Sequence, residues 1–124
     1  MGMDLTLLPL RDLRAMGDTH VLCYDRLSFD RDYKIFGQLM DMTPDEPKPT
    51  IKANPIPPQM WVETYEDEGV RETREDKYGT ELTFVYAQQL KKLKVTTNSS
   101  PKNKAVKAFI DALPDQTAII LFWH

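Results

Sequence analysis

The chain is poor in residues that staple, coordinate or cradle. Cys23 is its only cysteine, which excludes an internal disulfide. With no signal-peptide pattern at the start, a lone cysteine fits a reducing, intracellular compartment. As a catalytic thiol Cys23 would need a neighbouring base, and a buried strand cysteine is the simpler expectation. The only histidines are His20 and His124. His20 and Cys23 have the spacing of a zinc half-site, but strand alternation sends them to opposite faces, and a structural site takes four ligands. The five glycines are scattered, so there is no Gly-rich phosphate loop and no nucleophile elbow. No apolar run approaches the ~20 residues that a membrane helix needs. These absences predict no cofactor, no metal, no membrane insertion and no nameable catalytic residue. They weigh against an enzyme without deciding the matter.

What is present is a chain of 124 residues, 41% of them apolar. That length predicts a single domain, 3–124, able to bury a core without staples. Met1 and Gly2 read as an added or alternative start and stand outside the fold reasoning. The formal charge of −3 disfavours nucleic acid as a direct partner. Charge is also segregated: residues 60–80 hold seven acids and three bases, whereas residues 81–124 hold three acids and six bases.

The stretch Ser28 to Met42 predicts one amphipathic helix. Asp30 is suited to cap its free N–H groups, and Asp32 adds negative charge at the positive end of the dipole. Tyr33, Phe36 and Met40 recur on a helical period and predict an inward stripe. Pro44 ends the helix. Residues 43–59 then hold six of the nine prolines and predict an extended loop. A second helix starts at Ser100-Pro101, with Ser100 as cap and proline at its harmless first position. Ala105, Val106, Phe109, Ile110 and Leu113 form its stripe. Tyr86, Leu90 and Leu93 suggest a third, shorter helix.

Met3–Leu10, His20–Leu27, Met60–Tyr65, Glu81–Tyr86 and Ala118–Trp123 predict strands. The last is a continuous apolar run and reads as a central strand buried on both faces. Pro9 places the end of the first strand at an edge. Val70–Tyr78 can form the second arm of a hairpin or a short polar helix, and an irregular or weakly helical part of an acidic excursion over 63–78 is the preferred reading. The fold class is therefore α+β: a small mixed sheet with two or three helices packed on it.

Two clusters are candidate sites. Tyr24, Arg26, Arg31 and Tyr33, with Asp25 and Asp32, span a strand end and a helix start, where backbone N–H groups and arginines can hold a small anionic, nucleotide-like ligand. The competing reading is an internal network in which an arginine pairs with an aspartate and fixes the corner. The acidic stretch Glu63, Glu66, Asp67, Glu68, Glu72, Glu75 and Asp76, flanked by Trp61, Tyr65 and Tyr78, can dock on a basic partner. The partner-binding set is thus Trp61, Tyr65, Glu66, Asp67, Glu68 and Tyr78. The competing reading there is a solvated loop.

The runs LSFDRDYKIFGQLMDM and ALPDQTAIILFWH resemble segments of small, mostly uncharacterised proteins of tailed bacteriophages and prophages. Those proteins carry a similar Arg-x-Tyr-x-x-Phe helix opening, here Arg31, Tyr33 and Phe36. They share a Pro-rich middle and a β-rich, Trp-containing tail, here Ile119 to Trp123. The middle, Met60 to Tyr78, matches no such segment. The resemblance implies a phage setting and expression in the bacterial host cytoplasm, and it supplies no catalytic residues. Three functions are consistent with the whole chain: a non-catalytic accessory protein that binds a host protein, such as a defence component; a binder of, or enzyme on, a small anionic ligand; and an acidic nucleic-acid mimic. Self-association stays open.

Overall fold

The apolar run Ala118–Trp123 is the middle of the sheet, as its continuity predicts, and all six side chains are buried. The structure is a computed structural model that describes residues 3–10, 20–21, 26–41, 48–66 and 69–124, with the backbone alone at 20, 21, 64–66, 70 and 71. Its strands are β1 (Leu5–Pro9), β2 (His20–Val21), β3 (Leu27–Ser28), β4 (Asn54–Pro55), β5 (Trp61–Glu66), β6 (Gly69–Thr73), β7 (Thr83–Tyr86) and β8 (Ala118–Trp123). Its helices are α1 (Tyr33–Phe36), α2 (Ala87–Leu90) and α3 (Pro101–Ala112). The fold is α+β.

Two sheets form. The larger has the order β3-β1-β8-β7-β4 and is antiparallel throughout. The smaller has the order β2-β5-β6, with β2 parallel and β6 antiparallel to β5. The predicted strand His20–Leu27 is instead two short strands in different sheets. Cys23 lies outside the described residues. Pro9 ends β1 opposite Ile119, beyond the reach of β3, which pairs only with Thr6 and Leu7. No partner on that side requires the missing N–H.

Strand alternation divides the core in two. Leu5, Leu7, Val85, Ile119, Leu121 and Trp123 face the helices and pack with Phe36, Leu90, Val106 and Ile110. Leu8, Leu10, Phe84, Ile120 and Phe122 face the other way, against Met60, Val62 and Ile56. The larger sheet is thus covered on both faces, which is why its middle strand reads as unbroken apolar sequence.

Three predicted elements change. Residues 63–78 are not an irregular excursion: β5 and β6 form a hairpin whose register runs from Val62↔Thr73 to Glu66↔Gly69. Cross-strand pairing overrides the poor strand propensity of the charged arm. In the proline-rich stretch, Ile51 and Ile56 are buried and Asn54–Pro55 pairs with β7, so its described part wraps the sheet edge. The first helix is capped by Asp32, whose carboxylate accepts from Lys34 N and Ile35 N, not by Asp30.

That helix also turns a different face inward. Ile35, Phe36 and Leu39 are buried, Met40 is half-buried and Tyr33 is 49% exposed. The predicted helix over 28–42 is only Tyr33–Phe36, and Leu39 and Met40 follow it in turns. At about 100° per residue Tyr33 stands ~160° from Ile35, on the outer side. Likewise Phe109 and Ala105 are exposed on α3, which buries Val106, Ile110 and Asn103. Tyr86 ends β7 and precedes α2, which buries Ala87 and Leu90.

Candidate functional site

Two surface regions carry the candidate residues. The first lies where β1, β3 and β8 end together. Asp4 and His124 extend the β1–β8 pairing, Asp4 N donating to His124 O at 2.7 Å and His124 N to Asp4 O at 2.9 Å. Arg31 reaches this end and donates from Nε and Nη2 to the two Asp4 carboxylate oxygens, at 3.1 and 2.8 Å. A guanidinium matched to both oxygens is the strong form of this bond. It holds the Asp4 carboxyl below the usual carboxylate range. An arginine does pair with an aspartate here, and the aspartate is Asp4, directly before the first strand.

Tyr33 stands beside this pair. Its hydroxyl accepts from Met3 N at 3.4 Å, and its ring meets Phe36 edge-on at 6.0 Å. Phe36 in turn is held edge-on by Trp123 at 5.6 Å. Lys77 and Tyr78 reach the same end, because Lys77 N donates to Trp123 O at 3.1 Å. Tyr78 sits in a tight turn: Asp76 Oδ1 accepts from Tyr78 N at 2.8 Å and from Thr80 N at 3.1 Å. Gly79 adopts φ +78°, which only glycine takes readily. Tyr33 and Tyr78 both raise the Arg31 pKa through their charge, after the larger effect of Asp4. Arg26 and Lys77 both act electrostatically on His124. Tyr24 lies outside the described residues.

A hydroxyl chain runs through the same end. Thr6 Oγ1 is 2.8 Å from His124 Nε2 and 2.9 Å from Ser28 Oγ. The residue types suggest nucleophilic catalysis, but the geometry does not provide it. Thr6 is 1% exposed, so no substrate reaches its oxygen. Asp4 is turned to Arg31 and does not orient the imidazole. Burial holds His124 below the usual histidine range. The chain of hydroxyls ties three strands together. The helix start offers no anion site either, because Asp32 already accepts from its free N–H groups.

The second region is the acidic face of the smaller sheet. Trp61 opens β5 and is 42% exposed. It lines a groove of about 350 Å³ with Glu72, Thr73, Arg74, Glu75 and Glu81. Glu75 and Glu81 face each other across a bridge, which the turn through Asp76 and Gly79 brings about. Arg74 donates to Pro57 O, Met60 O and Glu81 Oε1, so it fixes the groove floor. Three carboxylates against one guanidinium leave the groove negative.

Of the predicted partner set, Trp61 is on this face. Tyr65 and Glu66 belong to β5 by their backbone, and Asp67 and Glu68 lie outside the described residues. Tyr78 is at the other region, beside Arg31. Sequence reasoning missed Asp4, Thr6, Ser28, His124 and Lys77 at the first region and Arg74 and Glu81 at the second. The spacing Asp76…Gly79 was a readable turn signal for the Glu75–Glu81 approach; the first region had no local signal. Among the described residues no group of three or more His, Cys, Asp or Glu side chains could hold a metal ion, and no helix is long and apolar enough to cross a membrane. Compared with protein-family models, curated proteins and solved structures, the chain matches none of them.

Proposed function

We propose that this protein binds another protein without catalysis, and that Trp61 and the carboxylates around it form the docking face. The observation that carries the reading is the 42% exposure of Trp61 at the edge of a negative groove. An exposed tryptophan is a strong interface anchor. Glu72, Glu75 and Glu81 around it suit a lysine or arginine side chain, which would also gain from the ring face. The partner is therefore a basic protein surface. In the phage setting implied by the sequence resemblance, that partner is a host protein, for example a defence component met in the bacterial cytoplasm.

Affinity purification from an infected host tests this, with wild-type protein and the Trp61→Ala and Glu72→Lys/Glu75→Lys variants run in parallel. A host protein retained by wild type and lost with both variants supports the reading. Recovery of the same proteins by all three would overturn it.

A further inference from the structure

On a chain with a formal charge of −3, the end of the sheet where Asp4 pairs with His124 brings Arg31 and Lys77 together. Arg31 is bonded to Asp4. Lys77 N donates to Trp123 O, one residue before His124. Two tyrosines stand at the same end, Tyr33 at 49% and Tyr78 at 50% exposure. The Tyr33 ring is braced by Phe36, and through it by Trp123 and Phe29. The Asp76 turn fixes the backbone of Tyr78. Half-exposed rings next to cations are what a planar base with an attached phosphate requires: stacking on the ring, charge on the phosphate.

We propose that this end of the sheet binds a nucleotide unit, with Tyr33 and Tyr78 as stacking faces and Arg31 and Lys77 as phosphate partners. The proposal rests on residues other than those of the acidic docking face, with which this end shares the turn between Glu75 and Glu81. Arg31 keeps its bond to Asp4 while offering further N–H donors, since a guanidinium has five and an ammonium three. The same unit comes either from a free nucleotide or from a single strand.

Fluorescence anisotropy with labelled dT12, and competition by AMP, ATP and inorganic phosphate, distinguishes these sources. Wild-type protein is expected to bind dT12 or AMP at low salt and to weaken as salt rises. Tyr78→Ala and Lys77→Gln, both at exposed positions, should each weaken binding about tenfold with unchanged melting. Displacement of the labelled strand by AMP as well as by unlabelled dT12 assigns the site to a single nucleotide unit; displacement by unlabelled dT12 but not by AMP assigns it to a strand. Absence of binding at about 100 μM protein in low salt, equal competition by phosphate and AMP, or unchanged affinity in both folded variants overturns the proposal. Ultraviolet crosslinking of the wild-type protein to bromouridine-substituted oligonucleotide gives a readout that needs no variant. Crosslinks at Tyr33 or Tyr78 support the site, and crosslinks confined elsewhere reject it.

Discussion

Asn103 and Asp30 hold each other by two hydrogen bonds: Asp30 N donates to Asn103 Oδ1 at 2.7 Å, and Asn103 Nδ2 donates to Asp30 O at 3.0 Å. The side-chain amide of α3 thereby copies a strand-like pairing and fixes where the chain enters α1. Asn103 is buried, so the two bonds fix its amide inside the fold. Replacing it with alanine strips both groups of Asp30 and should destabilise the fold by about 2–4 kcal/mol. Asn103→Asp keeps the acceptor but sets a carboxylate against a carbonyl, and should be no better. Urea unfolding of both variants measures this; a loss under about 0.5 kcal/mol would mean that water replaces the amide.

Phe36 is the centre of the aromatic chain Tyr33–Phe36–Trp123, with Phe29 on its other side. It is fully buried. Phe36→Ala should cost about 3–5 kcal/mol through lost burial and a residual cavity. Trp61→Ala, at an exposed position, should fall within about 0.5 kcal/mol of wild type. The contrast between the two aromatics, read by thermal melting, separates a core role from a surface role. If Trp61→Ala were as damaging as Phe36→Ala, the exposed face would be structural and could not be offered for docking.

How much of this was readable depends on how local each determinant is. Ala118–Trp123 and Ser100-Pro101 were legible because a continuous apolar run and a Ser-Pro start are decided within a few residues. Asp30 and Asp32 are equally good caps by composition, and the distant Asn103 bears on the choice by pinning the Asp30 backbone before the helix. The arm Val70–Thr73 carries charges that weaken a strand in isolation; its pairing with β5 is a tertiary decision. The polar end of the sheet was hidden more deeply, since Thr6 and His124 are 118 positions apart and Arg31 finds Asp4 across 27. Tyr33 and Tyr78 were assigned to different sites for the same reason. Neither composition nor period brings Lys77 to the end of β8.

Acid should weaken the fold in two stages. Burial lowers the His124 pKa below 6.5, so the folded state binds fewer protons than the unfolded chain in that window. That contribution is complete above pH 6.5 and is lost as pH falls through the folded pKa. Asp4 follows at lower pH. The Arg31 hydrogen bond depresses its pKa below 3.8, so its contribution is present above that value and lost as pH falls further. His124→Gln, which keeps a partner for Thr6 without titrating, should flatten the first stage, and Arg31→Ala the second. Melting temperatures from pH 8 to pH 3 measure both. A His124 imidazole titrating above 6.5 by NMR would contradict the first stage.

Thr117 is fully buried and its hydroxyl has no hydrogen-bond partner among the described residues. Its backbone is fully used: Thr117 N donates to Pro114 O at 3.0 Å and its carbonyl accepts from Ala87 N at 2.8 Å. The residue therefore contributes its main chain to the turn between α3 and β8, while the side chain buries a polar group without return. Valine has nearly the same shape and the same branching at Cβ. Thr117→Val should leave the turn intact and raise stability by up to about 1–2 kcal/mol, because it removes an unsatisfied hydroxyl from the interior. Thr117→Ser keeps the hydroxyl and deletes the methyl group, so it should lower stability by about 1 kcal/mol. Opposite signs for the two substitutions in chemical denaturation identify the hydroxyl as the unfavourable part. A Thr117→Val protein less stable than wild type would instead reveal a partner for that oxygen, such as an ordered water shared with the α3–β8 turn.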